Sequence, residues 1–179
     1  MLHTGYLFGK DKNVPYDDQG VSYSPQGATF GLGGAVRIHL LKHLRIGSEG
    51  FVSTMNSATT DCRQRLQSGS YIRTGWGGVL ADVCWRGDKV WPYIGGTIGG
   101  GAMRALYITD GDENNWKEEQ HSIFHKQAFF CINPYIGLDW CMTKTVHLTF
   151  RFDWLIALHQ RQFILPSGPR LYVGFMFCH

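Results

Sequence analysis

A chain of 179 residues is long enough for one domain, expected to occupy 1–179. Its 23 glycines, 14% aromatic content and 17% charged content suit a turn-rich β protein better than a helical one, and no stretch approaches the roughly 18 to 20 consecutive apolar residues of a membrane-spanning helix. The net charge of +3 is small and scattered, which argues against a nucleic-acid partner.

Turn chemistry divides the sequence into eight strand segments. The first, His3 to Gly9, is short, and a polar loop from Lys10 to Gln26 follows. The second, Gly27 to Leu41, alternates: Phe30, Leu32, Val36, Ile38 and Leu40 share one face, and Thr29, Arg37 and His39 the other. A tight turn at Lys42-His43 leads into the third, Leu44 to Ser57, where Arg45 and Glu49 share a parity. The loop Ala58 to Ser68 precedes the fourth strand, Gly69 to Trp85, and Arg86-Gly87-Asp88-Lys89 is a hairpin signal.

The fifth strand, Val90 to Ile108, carries the glycine run Gly95 to Gly101, and the pattern leaves its facing open. The loop Thr109 to Ser122 is strongly acidic. In the sixth strand, Ile123 to Trp140, the parity of Phe130, Ile132, Ile136, Leu138 and Trp140 opposes that of Gln127, Asn133, Tyr135 and Asp139. Pro134 removes a ladder hydrogen bond there, and a bulge at Asn133-Pro134 is expected to absorb it.

The seventh strand, Val146 to Leu158, is the clearest. Val146, Leu148, Phe150, Phe152, Trp154, Ile156 and Leu158 line one face, against His147, Thr149, Arg151 and Asp153. The last loop, His159 to Ser167, precedes a closing strand, Gly168 to Phe177.

A soluble sheet buries its apolar face and wets its charges. Here such strands recur along nearly the whole chain, and no helix is available to cover their apolar faces. The economical solution is a closed antiparallel up-and-down transmembrane β-barrel with eight strands, its apolar residues outside and its charges within. Connections after the first, third, fifth and seventh strands are long and the others short, which puts every long loop at one end.

This asymmetry, with extracellular loops and both termini periplasmic, resembles the small eight-stranded bacterial outer-membrane barrels of the OmpA and OmpX type. So does the closing stretch Arg170-Leu171-Tyr172-Val173-Gly174-Phe175-Met176-Phe177, which is similar to their C-terminal assembly signal, although Cys178 and His179 follow the phenylalanine that usually ends it. The Pro-Tyr-Ile-Gly stretches at Pro92 and Pro134 also look like strands of that superfamily. The resemblance implies an integral outer-membrane protein of Gram-negative bacteria, among membrane lipid and lipopolysaccharide and possible barrel neighbours. Met1-Leu2-His3-Thr4-Gly5 lacks the features of a secretory signal, so the chain reads as a processed mature form.

Eight strands enclose an interior filled by side chains. The expected polar filling is Arg37, His39, Arg45, Glu49, Arg73, Asp82, Arg104, Asp139, His147, Arg151, Asp153 and Arg170, pairing as a salt-bridged plug. The expected lipid-facing set is Val146, Leu148, Phe150, Phe152 and Trp154 with Leu171, Val173, Phe175 and Phe177. Trp76, Trp85, Trp91, Tyr93, Trp140 and Trp154 are assigned to membrane-interface belts.

Catalytic signals are weak. A lipid-modifying enzyme needs a nucleophile beside a base, and the sequence offers His121, Ser122, Asp153 and His159 without the His-x-Ser-Asn run of lipid A deacylases. No catalytic residue, cofactor or metal site is expected. Cys62, Cys84, Cys131, Cys141 and Cys178 show no CxxC spacing; Cys84, Cys141 and Cys178 fall near one end, where small side chains filling a tapering interior are expected in preference to a disulfide or metal cluster. A soluble lipocalin-like binder is the further alternative, with the Phe150/Phe152 face lining an apolar cup.

Overall fold

The computed structural model describes residues 1–8, 27–56, 71–108, 122–158 and 167–177. They form eight strands: β1 (Leu2–Leu7), β2 (Gly27–His39), β3 (Leu44–Asn56), β4 (Tyr71–Cys84), β5 (Val90–Ile108), β6 (Ser122–Cys141), β7 (Val146–Leu158) and β8 (Gly168–Phe177). Each strand pairs antiparallel with its neighbours in sequence, and β1 pairs with β8, closing the barrel. Closure satisfies the backbone groups that an open sheet leaves along its two edges.

β1 has six residues and shares only four register pairs with β8. The seam is extended beyond the strand by Phe8 N–H donating to Ser167 O at 2.9 Å and, on the β2 side, by the Met1 ammonium donating to Gly33 O at 2.9 Å. These bonds tie down a strand of only six residues at both of its ends.

No bulge forms at Pro134. The β6–β7 register runs unshifted from Ile132↔Ile156 to Tyr135↔Asp153, with the intervening positions left unpaired on that side. On the β5 side the ladder continues through Thr97↔Asn133 and Gly96↔Pro134. The missing proline donor is absorbed as a local gap, without an inserted residue.

The glycine run of β5 acquires a facing. Tyr93, Thr97, Met103 and Ala105 are buried inside, so odd-numbered residues of this strand point inward. Gly95 is opposite Asp82, and a Cβ there would collide with the Asp82 Cα and Cβ and with the Ala81 carbonyl. Glycine at 95 therefore leaves room for an interior carboxylate.

Candidate functional site

The pleat sorts side chains by parity. On the outer surface Phe150, Phe152, Trp154, Leu171, Val173, Phe175 and Phe177 are exposed, up to 75% for Phe177, while Val146 and Leu148 near the turn end are half-exposed. Arg45, Glu49, Asp82, Asp139, His147, Arg151, Asp153 and Arg170 are buried inside. The apolar surface of this molecule is its exterior and the charged surface is its centre.

Four arginines and four carboxylates meet there in two layers. In the layer nearer the tight turns, Arg45 Nε lies 2.5 Å from Asp82 Oδ1 and its Nη1 2.9 Å from Asp139 Oδ2. Arg37 Nε approaches Asp82 Oδ2 at 3.2 Å. Both guanidinium groups lie over the Tyr93 ring, 4.7 Å away for Arg45 and 5.1 Å for Arg37, a favourable placement for a cation.

The second layer is built around Arg151, which pairs with Glu49 through both terminal nitrogens and with Asp153 Oδ2 at 3.1 Å. Arg170 Nε donates to Asp153 Oδ1 at 2.9 Å, and its Nη2 donates to Asn133 Oδ1 at 3.1 Å. Asn133 Nδ2 donates to Asp153 Oδ2 at 2.8 Å, and Thr97 Oγ1 donates to Glu49 Oε1 at 2.5 Å. Tyr135 joins the layers: its hydroxyl donates to Asp82 Oδ2 at 3.1 Å while Arg151 sits 3.8 Å above its ring. With equal numbers of each sign, and with Thr97, Asn133 and Tyr135 donating to Glu49, Asp153 and Asp82, much of the desolvation cost of buried charge is offset.

Toward the long-loop end the interior changes character. Leu7, Phe51, Met55, Ile72, Trp76, Met103, Phe129, Leu155 and Tyr172 form an apolar cluster, with Phe51 stacked on Trp76 at 5.2 Å. Arg170 rests over Trp76 at 4.5 Å, the join between ionic and apolar halves. This half was readable in principle, since Phe51 shares its parity with Arg45 and Glu49, and Trp76 with Asp82. The same packing corrects the belt assignment: Trp76 and Tyr93 are interior, whereas Trp85, Trp140 and Trp154 are exposed outside.

Three other expected interior residues stand elsewhere. Arg73 and Arg104 face outward and are exposed, directly opposite each other on β4 and β5. Both fall on the parity of outward residues such as Gly75 and Ala102, which the glycine-rich pattern disguised. His39 has inward parity but is exposed in the mouth at the turn end, its ring edge-on to Trp91 at 6.4 Å. That mouth is an open vestibule of about 1050 Å³ whose lining includes Arg37, Arg45, Trp91 and His147.

The catalytic alternative loses one of its four candidates. Asp153 is wholly buried and held by Arg151, Arg170 and Asn133, away from any lipid-facing rim. His121 and His159 lie outside the described residues, as does the side chain of Ser122. Cys84 and Cys141 are free thiols, and the expectation involving Cys178 falls outside the described residues. A lipocalin-like cup is contradicted by the exposed outer position of Phe150 and Phe152.

No family model and no curated protein matches the chain. Among solved structures its fold is similar to Ail, the attachment invasion locus protein of Yersinia pestis, at 14% identity and a TM-score of 0.43, over 98% of this chain and 95% of that one. It is similar to the N-terminal β-barrel domain of Pseudomonas aeruginosa OprF, at 11% identity and a TM-score of 0.47, over 98% and 96%. Neisserial surface protein A is similar at 12% identity and a TM-score of 0.44, over 97% and 92%.

Proposed function

We propose that this protein is a non-enzymatic integral barrel of the bacterial outer membrane, a structural and surface-presenting element whose interior is closed. The observation that carries the reading is the inverted polarity: eight charged residues buried in two neutralised layers, inside a wall whose outward side chains are exposed phenylalanine, tryptophan, leucine, isoleucine and valine. Water provides no driving force for that arrangement, whereas a hydrocarbon surround does. The longer connections then face the cell exterior, the tight turns and both termini face the periplasm, and the segments 9–26, 57–70, 109–121 and 159–166 are where a partner would be met.

The ionic layers stabilise and close the barrel. Each cation lies against a carboxylate or an aromatic face, and the apolar cluster above adds a second seal. The test is refolding into detergent followed by electrophoresis with and without heating. A faster-migrating folded band that converts to the denatured position on boiling supports the reading; a chain that folds cooperatively without detergent contradicts it.

A further inference from the structure

The outward face of β3 to β6 carries a charge pattern that the interior network does not use. Arg73, Arg104 and Lys126 are directly paired neighbours on β4, β5 and β6, all three exposed. Like charges placed opposite one another across a ladder are destabilising, and among the described residues no carboxylate pairs with any of the three. The Arg73 guanidinium lies over the Tyr71 ring at 4.9 Å.

Their height is informative. Arg73 stands ten residues up β4 from Val83, and Lys126 twelve residues up β6 from Leu138. At about 3.3 Å per residue and a tilt near 40°, the row lies roughly 25 to 30 Å above the turn-side limit of the apolar wall, where a band about 25 Å tall ends. The cations therefore sit at the membrane–water boundary on the long-loop side.

Directly beneath the row the wall is almost bare. Gly75 and Ala102 form the next outward pair, and Gly50, Gly77 and Gly100 align in register below them. This smooth floor is bounded on β6 by Phe130, which is 71% exposed. A row of cations without a carboxylate partner among the described residues, above a shallow apolar trough, matches a ligand with phosphate at its head and acyl chains below.

We propose that Arg73, Arg104 and Lys126, with the glycine floor beneath them, bind a phosphate-bearing, acylated lipid of the outer leaflet. The row spans two interstrand spacings, about 10 Å, wide enough for more than one phosphate group, so the lipid A class fits better than a single-phosphate glycerolipid. The site rests on the outer-membrane reading above and assigns the partner met by this part of the wall.

The experiment uses the full chain in phosphatidylcholine nanodiscs, with heat-modifiable mobility recorded for every variant so that loss of insertion is read separately from loss of binding. Lipid A bearing both phosphates, dephosphorylated lipid A, phosphatidylglycerol and inorganic phosphate are titrated in turn. The phosphorylated lipid A is expected to bind tightest. Replacing all three cations (Arg73→Gln, Arg104→Gln, Lys126→Gln) is expected to weaken it roughly a hundredfold, about fivefold per cation, while Lys144→Gln at the turn end leaves it unchanged.

Gly50→Leu fills the floor without strain, since a Cβ there meets nothing nearer than Trp76 O at 3.9 Å. It is expected to weaken lipid A binding severalfold. Equal binding of dephosphorylated lipid A, equal binding by the triple variant, competition by inorganic phosphate at comparable concentration, or an unaffected Gly50→Leu protein would each overturn the proposal. A wild-type barrel that does not insert at all would instead overturn the membrane reading beneath it.

Discussion

Glu49 and Arg151 face each other from opposite sides of the barrel, with three strands separating β3 from β7 in either direction, and Arg151 Nη2 lies 3.0 Å from Glu49 Oε1. A pair spanning the full lumen ties opposite walls of the barrel together. Both side chains are fully buried, so removing Glu49 leaves Arg151 with only the Asp153 carboxylate that it shares with Arg170, and removing Arg151 leaves Glu49 charged with no ion-pair partner among the described residues. Glu49→Leu is expected to cost about 3–5 kcal/mol of stability, and the double variant Glu49→Leu/Arg151→Met to recover a substantial part of it. Urea unfolding of the refolded barrel measures both, and a single variant as stable as wild type would refute the pairing's role.

Phe152, the middle residue of β7, is 41% exposed on the outer wall, and its neighbour Asp153 is wholly buried. Phe152→Arg places a charge near mid-bilayer and is expected to destabilise the inserted barrel by about 2–4 kcal/mol. Leu171→Arg, its paired neighbour on β8, should behave alike. A soluble, detergent-independent Phe152→Arg protein would show that this face met protein or water instead.

The paired layers and the Phe51–Trp76 stack leave no wide lumen. In planar bilayers the wild-type protein is expected to give no steady conductance. Trp76→Ala removes a large buried side chain at a cost of about 3–5 kcal/mol and should be the first variant to admit transient openings. A stable ohmic pore from the wild type would contradict the closed interior.

Gly95 and Gly96 are adjacent and face oppositely. Gly95→Val is expected to push Asp82 out of its contacts with Arg37 and Arg45 and to prevent folding, whereas a Cβ on Gly96 meets nothing nearer than 3.7 Å. Gly96→Val should therefore refold with wild-type yield. Refolding yields read from the heat-modifiable band decide between them.

Parity made much of this molecule readable from its residues. In β7, Phe150 and Phe152 against Arg151 and Asp153 reveal both the strand and its two faces, and the loop lengths reveal an eight-strand up-and-down order. Where large side chains gave way to glycine, parity lost its signal. A charge on a barrel strand is expected to avoid lipid, which points Arg73 and Arg104 inward, yet both stand exposed on the outer face, opposite each other near the long-loop end. Residue type alone points Trp76 to a belt, although its shared parity with Asp82 on β4 puts it inside. The Asn133–Pro134 gap was hidden for another reason: the Asn133 side chain bridges Asp153 and Arg170, a tertiary contact that no local pattern contains.

Hydrocarbon around the wall and protein in the middle predict opposite behaviour for two single-tryptophan proteins, one retaining only Trp154 and one only Trp76, the other tryptophans replaced by phenylalanine, each refolded into bilayers with brominated acyl chains. Trp154, 44% exposed on the outer surface, is expected to be strongly quenched, and Trp76, 4% exposed against Phe51, to be nearly untouched. Strong quenching of Trp76 with Trp154 spared, or equal quenching of both, would contradict the inside-out barrel.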